Sequence, residues 1–366
     1  MSNRIRLGIV GLSADPSHCT NYIHKLPLTT TPLKEKYEIA AVSMSSAEKA
    51  EAAALAHDLP KERAYHTVES LAKDSDVDLV VVSVKVPRRA ELAMAAIEAG
   101  KDVYVEWPFA SNLAEAEALA QRAREQQVKS MVGLPTRLAP QVLKMKEIVQ
   151  SGALGRILAT NLLVTDDLFL KFHADKRHSH DRKNGANIVT IAGGHLLDAM
   201  AFLLGEFTTL HAHTSMLFPK PVLCDTTGKL KTGQFNDSPD TFTLHGRIGN
   251  SEVPVSVCMY SHPPTTPNLF QWVITGEKAS LKMEGPSLII HAIPPKLLMT
   301  SSGSETVSWE EINLANTVVP GAEYQAWLDD DRDRIVTLDE AVVRYRMVDA
   351  IFRSADSGES TSYRHH

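Results

Sequence analysis

The sequence predicts an α/β protein: a Rossmann domain with a parallel doubly wound sheet, followed by an α+β domain with a large open, mostly antiparallel sheet. Two observations predict this fold class. Strand and helix patterns alternate up to residue 134, and the chain after Arg156 shows short strands separated by turn residues. Because 366 residues are many for one core, we place a dinucleotide-binding domain at 1–134 and a substrate-binding and oligomerisation domain at 135–366.

Composition and charge exclude several classes of function. Apolar residues make up 43% and charged residues 22%, as in ordinary globular domains, and the formal net charge of −6 provides no basic face for nucleic acid. Cys19, Cys224 and Cys258 are too few for a disulfide framework or a zinc site. We find no apolar run of membrane-spanning length and no signal-peptide block, so we expect a reducing, cytoplasmic setting.

The first strand, Ile5–Val10, leads into a turn with glycines at 8 and 11. This spacing suits a strand-to-helix turn whose backbone approaches a pyrophosphate, although the third glycine of the usual fingerprint is missing. Pro16 suits a first helical turn, whose N–H groups attract phosphate. The predicted phosphate-binding residues are Gly8, Gly11, Leu12 and Ser13. A tight turn without a ligand is the alternative.

The second strand, Tyr37–Ser43, bears on the choice of coenzyme. An acid at the end of this strand usually holds the ribose hydroxyls of NAD, and none is present here. Ser45 and Ser46 can donate hydrogen bonds to a 2′-phosphate instead. The pattern therefore favours NADP, and NAD remains open.

The rest of the first domain continues the alternation. The predicted elements are the helices Val68–Lys73, Ala90–Ala99 and Leu113–Gln126 and the strands Asp78–Val84, Val103–Val105 and Lys129–Val132, with a helix Pro140–Gln150 after the boundary. The strand Val103–Val105 stops at Glu106, Trp107 and Pro108, and the third strand stops at Val84 and Lys85. Ligands bind at this edge of parallel sheets, so these five residues are candidates for contact with the coenzyme.

In the second domain the predicted strands are Ile157–Thr165, Leu210–Met216, Phe242–Ile248, Val253–Tyr260, Gln271–Thr275, Ser280–Glu284 and Leu288–Ala292. A hairpin is predicted through Gly285-Pro286, and helices are predicted at Gly194–Leu204 and about 338–354. The polar tail from Ser357 to His366 is expected to fray. The open sheet face is expected to bind another subunit, giving a homodimer or homotetramer.

A series of short motifs runs through nearly the whole chain: Gly8-x-x-Gly11, Val105-Glu106-x-Pro108, Arg137-x-x-Pro140, Ser151-Gly152-x-x-Gly155 and Gly193-Gly194-His195-x-x-Asp198. Together, in this order, they resemble the glucose–fructose oxidoreductase / inositol dehydrogenase (Gfo/Idh/MocA) family. The resemblance implies a Rossmann domain followed by an open sheet. It also implies hydride transfer between a nicotinamide coenzyme, NAD or NADP, and a sugar, polyol or related alcohol.

The chain departs from this family at two positions. The Glu-x-Pro motif of the family usually holds a catalytic lysine, which is Trp107 here, and the aspartate usual four residues before the histidine is Ile191. An aromatic ring supplies neither a proton nor a charge, so the usual mechanism cannot run unchanged. A Glu-Trp-Pro motif resembles a branch that includes the yeast galactose-regulon repressor, a member that binds dinucleotide and acts by protein contact.

Candidate chemistry therefore falls on the remaining polar residues. His195 is the candidate general acid/base, Asp198 can orient it, and Lys85 can replace the missing charge near the nicotinamide. The loop 173–183 is dense in His, Asp and cations; the resemblance implies that it borders the substrate, so Trp107, His173, His178 and His195 are the candidate substrate contacts. We predict no metal site, since nothing fixes the geometry of these histidines.

The sequence thus predicts an NAD(P)-dependent oxidoreductase acting on a small hydroxylated or carbonyl substrate. A non-catalytic regulator that binds the dinucleotide and contacts a transcription activator is the alternative. A third option is an enzyme that uses bound nicotinamide for a redox-neutral isomerisation or epimerisation.

Overall fold

The computed structural model describes residues 4–168, 181–219, 223–224, 230–231, 237–263, 265–300, 307–314 and 319–363. The chain forms two compact units, Met1–Leu134 with Pro320–Val342, and Pro135–Val319 with Val343–His366. The sequence analysis placed Pro320–Val342 in the second domain, whereas this segment packs in the first unit. The cause is apolar burial, because Tyr324, Trp327 and Ile335 belong to the core cluster that includes Leu7 and Val81 of the first sheet.

The first unit contains one parallel sheet. Its strands are β1 (Ile5–Val10), β2 (Tyr37–Ser43), β3 (Ala64–Tyr65), β4 (Leu79–Val82), β5 (Asp102–Glu106) and β6 (Ser130–Gly133). They lie in the order β3-β2-β1-β4-β5-β6, and every neighbouring pair is parallel. This is the Rossmann order, in which the strand order reverses between β1 and β4 and opens a crevice at the carboxyl ends.

Nine helices are assigned within the described part of the chain. They are α1 (Leu26–Thr30), α2 (Ala47–Ala56), α3 (Val68–Ala72), α4 (Val86–Glu98), α5 (Leu113–Glu125), α6 (Pro140–Gln150), α7 (Gly194–Leu204), α8 (Ala322–Leu328) and α9 (Leu338–Ser357). Side chains of Ser46, Thr67 and Asn112 accept backbone N–H groups at the starts of α2, α3 and α5. These caps satisfy donors that lack an intrahelical partner.

No helix begins at Pro16. A single π-helical segment, Asn21–Lys25, precedes α1, and residues 12–18 form a turn. The Asp15 carboxylate accepts from the N–H (2.9 Å) and the hydroxyl (2.7 Å) of Ser17. Such local side-chain bonds compete with helix formation, which explains why the prediction for Pro16 is wrong.

The second unit contains a mixed sheet. Its strands are β7 (Ile157–Asp166), β8 (Phe207–Ser215), β11 (Thr241–Ile248), β12 (Val253–Ser261), β13 (Leu269–Gly276), β14 (Ser280–Gly285), β15 (Lys296–Thr300) and β16 (Trp309–Glu311), while β9 (Leu223–Cys224) and β10 (Leu230–Lys231) pair separately. The order is β16-β15-β14-β13-β7-β12-β11-β8. Within the described strands of this second sheet, only β7 and β12 pair in parallel. The predicted fold class is confirmed.

The predicted strand Leu288–Ala292 is a turn. The N–H groups of Ala292 and Ile293 both donate to the carbonyl of Ile289, and the next strand is β15, which pairs with β14. The apolar side chains of Leu288 and Ile290 produced the wrong prediction, because they are buried in a turn rather than in a strand. The predicted hairpin through Gly285-Pro286 is therefore a longer connection over residues 286–295.

The carboxyl-terminal segment is bound to the sheet. Thr361 and Leu210 exchange two backbone hydrogen bonds, of 2.8 and 2.9 Å. The hydroxyl of Tyr363 donates to Glu206 (2.7 Å) and accepts from the Phe207 N–H (3.0 Å), and the side chain is buried. The expectation that the chain frays after Ser357 is wrong up to Tyr363.

One helical stretch, Arg182–Leu204, has the length and apolar composition that would suffice to cross a membrane. It combines several helical turns of different pitch and ends in α7, and the sequence analysis did not predict such a stretch. Since 78% of its most apolar window is buried inside the protein, it has the burial of a core helix.

We expect Tyr363→Phe to lower the free energy of unfolding by about 1–3 kcal/mol, because the Glu206 carboxylate and the Phe207 N–H each lose a partner. Urea denaturation followed by circular dichroism measures the change. Tyr22→Phe, at a tyrosine that is 61% exposed, is the matched control. Equal stability of the two variants would show that the tail does not hold the sheet.

Candidate functional site

The turn after β1 requires both of its glycines. Gly11 has a φ of +95°, and a Cβ there would lie 2.2 Å from the Ser83 carbonyl oxygen. A Cβ on Gly8 would lie 2.6 Å from Leu71 Cδ2. The Gly11 N–H donates to the Ser43 carbonyl at 2.9 Å. Gly11 therefore lets the ends of β1, β2 and β4 meet closely at the switch point of the sheet, and Gly8, inside β1, leaves room for Leu71 of α3.

The loop after Gly11 is held from its outer side. Asn21 Nδ2 donates to the carbonyl oxygens of Ser13 (3.1 Å) and Asp15 (2.9 Å), and His57 Nε2 donates to Ser13 at 2.9 Å. Within the portion that the structure describes, no hydrogen bond occupies the N–H groups of Leu12 and Ser13. Leu12 is fully buried and Ser13 is partly exposed, so of these two residues Ser13 is the one at the surface, where a pyrophosphate could meet its N–H.

Ser45 and Ser46 follow β2, where no acid stands. Ser45 is exposed, and the Ser46 hydroxyl accepts from the Lys49 N–H (3.3 Å) as the cap of α2. Capping uses an acceptor site of Ser46 and leaves its proton for donation. Both coenzymes therefore remain compatible with this strand end.

Glu106 is the centre of a polar cluster, the Glu106 cluster, made of Glu106, Arg89, His24 and Ser83. Its carboxylate accepts from Arg89 Nη2, from Ser83 Oγ (2.7 Å) and from His24 Nε2 (3.1 Å). Burial by itself raises the pKa of Glu106, but Arg89 first, and then His24 and Ser83, outweigh it and hold the pKa at about 2. Glu106 is therefore an ionised anchor and not a proton donor at neutral pH.

The cluster fixes the neighbouring candidate residues. Arg89 also donates to the carbonyls of Val84 (2.7 Å) and Pro108 (2.9 Å), so it ties the end of the third predicted strand to the Glu-Trp-Pro motif. The Trp107–Pro108 peptide bond is cis. Trp107 is 4% exposed and contacts Phe109 edge to face, with ring centroids 6.3 Å apart. Lys85 is exposed and directly precedes α4.

In the second unit, His195 lies in the first turn of α7 and is partly exposed. The preceding π-helix, Val189–Gly193, is capped by Asn187 Oδ1, which accepts from the N–H groups of Val189 and Thr190 at 3.0 Å. This cap fixes the direction in which α7 starts.

His291 lies beside His195 and was missed by the sequence analysis. The two ring centroids are 6.0 Å apart, and Thr136 Oγ1 lies 3.3 Å from His291 Nδ1. Burial lowers the pKa of His291 to about 4, so this imidazole is neutral at physiological pH. His291 falls within the predicted strand Leu288–Ala292, so the sequence did not indicate it as a site residue, because binding and catalytic residues lie more often in turns and loops.

The partners that the structure shows for Asp198 are arginines. It is fully buried, its carboxylate accepts from Arg137 at 2.9 and 2.5 Å, and Arg344 Nε lies 3.7 Å from it. Arg344 also pairs with Glu206, and we call these four residues the Asp198 cluster. The carboxylate is the counter-ion of two arginines, because its helix position faces the core and not the partly exposed side of His195.

His173 and His178, predicted as substrate contacts, lie outside the described residues. Within the described ranges, no group of three or more His, Cys, Asp or Glu side chains could hold a metal ion.

The Rossmann strand order and the glycine turn define a dinucleotide-binding protein. Residues 5–134 match the family model of the oxidoreductase family with an NAD-binding Rossmann fold, and residues 140–285 match that of the Gal80p C-terminal domain. The chain belongs to this oxidoreductase family, Gfo/Idh/MocA. The predicted family, enzyme class and nicotinamide coenzyme are confirmed.

Two individual relatives are similar to the chain over most of its length. The chain is 89% identical over 365 residues to the dehydrogenase aclE of Aspergillus oryzae, with 100% of both chains covered. It is 28% identical over 296 residues to the galactose/lactose metabolism regulatory protein GAL80 of Saccharomyces cerevisiae, covering 77% of this chain and 67% of that protein.

Solved structures show the same fold. A super-repressor mutant of Gal80p from Saccharomyces cerevisiae superposes with a TM-score of 0.85 at 23% identity, covering 99% of this chain and 98% of that one. Levoglucosan dehydrogenase in complex with NADH and L-sorbose gives 0.82 at 18% identity, covering 99% of both chains.

Asp198→Asn should lower the free energy of unfolding by about 3–5 kcal/mol, because Arg137 and Arg344 lose a buried counter-ion. Asp349→Asn breaks an exposed ion pair with Arg353 in α9 and should cost less than about 0.5 kcal/mol. Urea denaturation of the two variants measures the difference. Similar small losses would contradict the assignment of Asp198 as a structural residue.

Glu106→Gln should remove a stabilisation of about 3 kcal/mol at neutral pH. The pKa of Glu106 is lower in the folded state than its ordinary value of 4.5, so this stabilisation is complete above pH 4.5 and is lost as the pH falls toward 2. The gap in stability between the wild type and the variant should therefore narrow below pH 4.5. Denaturation curves over that range test it, with Glu125→Gln on the surface as the control. A gap independent of pH would refute the ionised anchor.

Proposed function

We propose that this chain is an NAD(P)-dependent oxidoreductase that transfers hydride between nicotinamide and a small hydroxylated or carbonyl substrate without the usual catalytic lysine. The observation that carries the proposal is the Gly8-x-x-Gly11 turn at the switch point of a parallel sheet with Rossmann order. The relative at 89% identity, a dehydrogenase, supports it.

Each unit supplies a separate part of the chemistry. In the first unit, the N–H of Ser13 meets the pyrophosphate, and Ser45 and Ser46 meet the ribose. The nicotinamide end of the coenzyme would bind at the carboxyl edge of the sheet, which is formed by Val84, Lys85, Glu106, Trp107 and Pro108. The bound nicotinamide supplies or accepts the hydride. NADP is favoured slightly over NAD, since β2 ends without an acid.

Proton exchange is the task of histidine in this scheme. His195 exchanges the proton of the reacting oxygen, and the neutral imidazole of His291 stands beside it as a second acceptor. An indole cannot replace a lysine as an acid or a positive charge. The role of Trp107 in this scheme is therefore to provide an apolar wall of the substrate site. Lys85, three residues after the end of β4, is the cation that we assign to the nicotinamide edge of the first sheet. Under this proposal, no acid, base or charge at position 107 takes part in the reaction.

A regulator is the second candidate. It is favoured by the match of residues 140–285 to the Gal80p C-terminal domain and by the absence of lysine at position 107. Such a protein binds the dinucleotide without turnover and contacts a transcription activator through its surface. Calorimetry and turnover assays on one preparation separate the candidates: binding with oxidation of the coenzyme supports the enzyme, and binding without it across a broad panel of carbonyl and hydroxyl compounds supports the regulator. No binding of any nicotinamide coenzyme overturns both.

We also propose a homodimer or homotetramer that forms through the open face of the second sheet, in a cytoplasmic setting. Partly exposed Leu163, Cys258, Tyr260 and Val273 lie on that face, alternating with buried residues. Sedimentation equilibrium at micromolar concentration tests it, and a monomer at all concentrations would contradict it.

His195→Ala should reduce kcat by about 10²–10⁴-fold with the coenzyme's affinity unchanged, as expected when a general acid/base is lost. Lys85→Ala should reduce kcat as well if its ammonium stabilises charge in the transition state. Steady-state kinetics and coenzyme titration measure these effects. His66→Ala, at an exposed histidine of the first unit, is the control. Wild-type rates in His195→Ala would remove His195 from the mechanism.

A further inference from the structure

Two histidine rings meet on the open side of β8, the strand at one end of the second sheet. His211 and His213 are separated by one residue, so the alternation of a strand places both side chains on the same side of the sheet. Leu210 and Ala212 project from the other side and are buried. His211 is partly exposed and His213 is exposed, so ions in the solvent reach both imidazoles.

The two imidazoles approach each other through the same ring atom. Nε2 of His211 lies 3.1 Å from Nε2 of His213, and the ring centroids are 4.8 Å apart. Among the described residues, neither ring has another hydrogen-bond or ion-pair partner. The contact between these two nitrogens is therefore the polar interaction that both rings share.

The distance between the ring centroids distinguishes two ways of joining such a pair. In a straight N–H···N hydrogen bond both ring centres lie on the line through the two nitrogens, which would place them about 5.4 Å apart. If both lone pairs point instead at one ion bound at about 2.0–2.1 Å, the ring centres are about 4.8–4.9 Å apart. The observed 4.8 Å fits the second arrangement, in which both rings are turned toward a common point beside them.

The distance between the nitrogens also fits a single ion. Two nitrogens bound at about 2.0–2.1 Å are separated by about 2.9 Å when the angle at the metal is a right angle and by about 3.3–3.4 Å when it is tetrahedral. The 3.1 Å between the two Nε2 atoms lies between these values. The extended strand therefore presents two ligands at the separation that one metal ion requires.

The chemistry of the donors selects the kind of metal. Imidazole nitrogen suits zinc, copper and nickel, whereas Mg²⁺ and Ca²⁺ prefer oxygen ligands. The residues directly opposite the pair on β11 are His245, which faces His211, and Thr243, which faces His213, so this neighbouring strand adds no carboxylate. His245 is exposed, but the described structure does not bring the three histidines together as one three-ligand group.

We propose that His211 and His213 form a two-histidine site for a divalent transition-metal ion such as Zn²⁺, bound through both Nε2 atoms. Water completes the coordination, and Nδ1 of each ring carries the proton. The prediction that the chain has no metal site rested on the loop 173–183, and the pattern His211-Ala212-His213 was missed.

This site is separate from the proposed reaction. A Cβ on Gly193, just before α7, would lie 3.0 Å from Phe242, which is buried on the side of the sheet opposite to the histidine pair. His195 follows in α7 and so belongs to that other side. The residues through which we propose that subunits associate lie on β7, β12 and β13, whereas β8 is the edge strand, so the pair lies at the margin of that face.

Titration calorimetry of the full-length chain, freed of metal with EDTA, measures Zn²⁺ binding. His211→Ala and His213→Ala should each weaken the site by at least about tenfold, because the second of two linked bonds is lost. His245→Ala is the matched control, since it removes an exposed histidine from the same side of the sheet, and it should leave the affinity almost unchanged. Mg²⁺ should not bind to the pair. Equal Zn²⁺ binding by the wild type and both pair variants, or an equal loss in His245→Ala, overturns the site.

Crystallography locates the ion among the histidines of the chain. A wild-type crystal soaked in Zn²⁺ should show an anomalous peak about 2.0–2.1 Å from both Nε2 atoms, and the same soak of His213→Ala should show none there. Peaks at other histidines without one at this pair contradict the proposal. A peak at the pair without the calorimetric difference shows an adventitious ion only and overturns the site as well.

Protein stability checks that the variants fold and provides a second readout. Because His213 is exposed, His213→Ala should unfold in urea at the wild-type midpoint when Zn²⁺ is absent. Zn²⁺ should then raise the midpoint of the wild type more than that of the variant, since an ion that binds the folded strand stabilises it. An equal rise in both proteins would show that the stabilising zinc is bound elsewhere and would contradict the proposal.

Discussion

Each unit, taken by itself, contains a buried carboxylate that is bound to arginine and that holds several structural elements together. In the first unit the Glu106 cluster joins the end of β5 to α4 through Arg89 and to the segment before α1 through His24. In the second unit the Asp198 cluster joins α7 to Arg137 before α6 and to Arg344 in α9. Removing one member of a buried ion pair leaves an uncompensated charge. Each cluster is therefore an all-or-none constraint on the elements that carry the candidate site.

The Glu106 cluster also reaches the segment that returns to the first unit late in the chain. The Tyr324 hydroxyl lies 2.8 Å from His24 Nδ1, and the Tyr37 hydroxyl donates to the Tyr324 carbonyl at 2.8 Å. The return of this segment is thus stabilised by polar contacts as well as by the apolar core that Tyr324 and Trp327 join. Replacement of the motif lysine by Trp107 leaves this network intact, because the network uses the glutamate and not the following residue. The fold can therefore tolerate the loss of the lysine even though the chemistry must change.

The sequence predicted the fold where periodicity and glycine chemistry are local. The strands β1, β2, β12 and β14 and the helices α5, α6 and α7 lie within a residue or two of their predicted bounds, because burial on one or both faces imposes a regular apolar pattern. Leu288–Ala292 was predicted wrongly, since burial in a turn produces the same short apolar run as a strand. The tail to Tyr363 was predicted wrongly as well, because its contacts are with residues far away in the sequence.

For the candidate site as well, the sequence determined some features and the tertiary structure decided the others. The sequence by itself determined the family, the glycine turn and the replacement of lysine by Trp107, since each is a property of neighbouring residues. Only the tertiary structure decided that Asp198 is an arginine counter-ion and that His291 lies beside His195. These pairs are separated by many residues in the chain. Their hydrogen bonds and charges depend on which strands pair and which helix faces the core, and no local pattern encodes that choice.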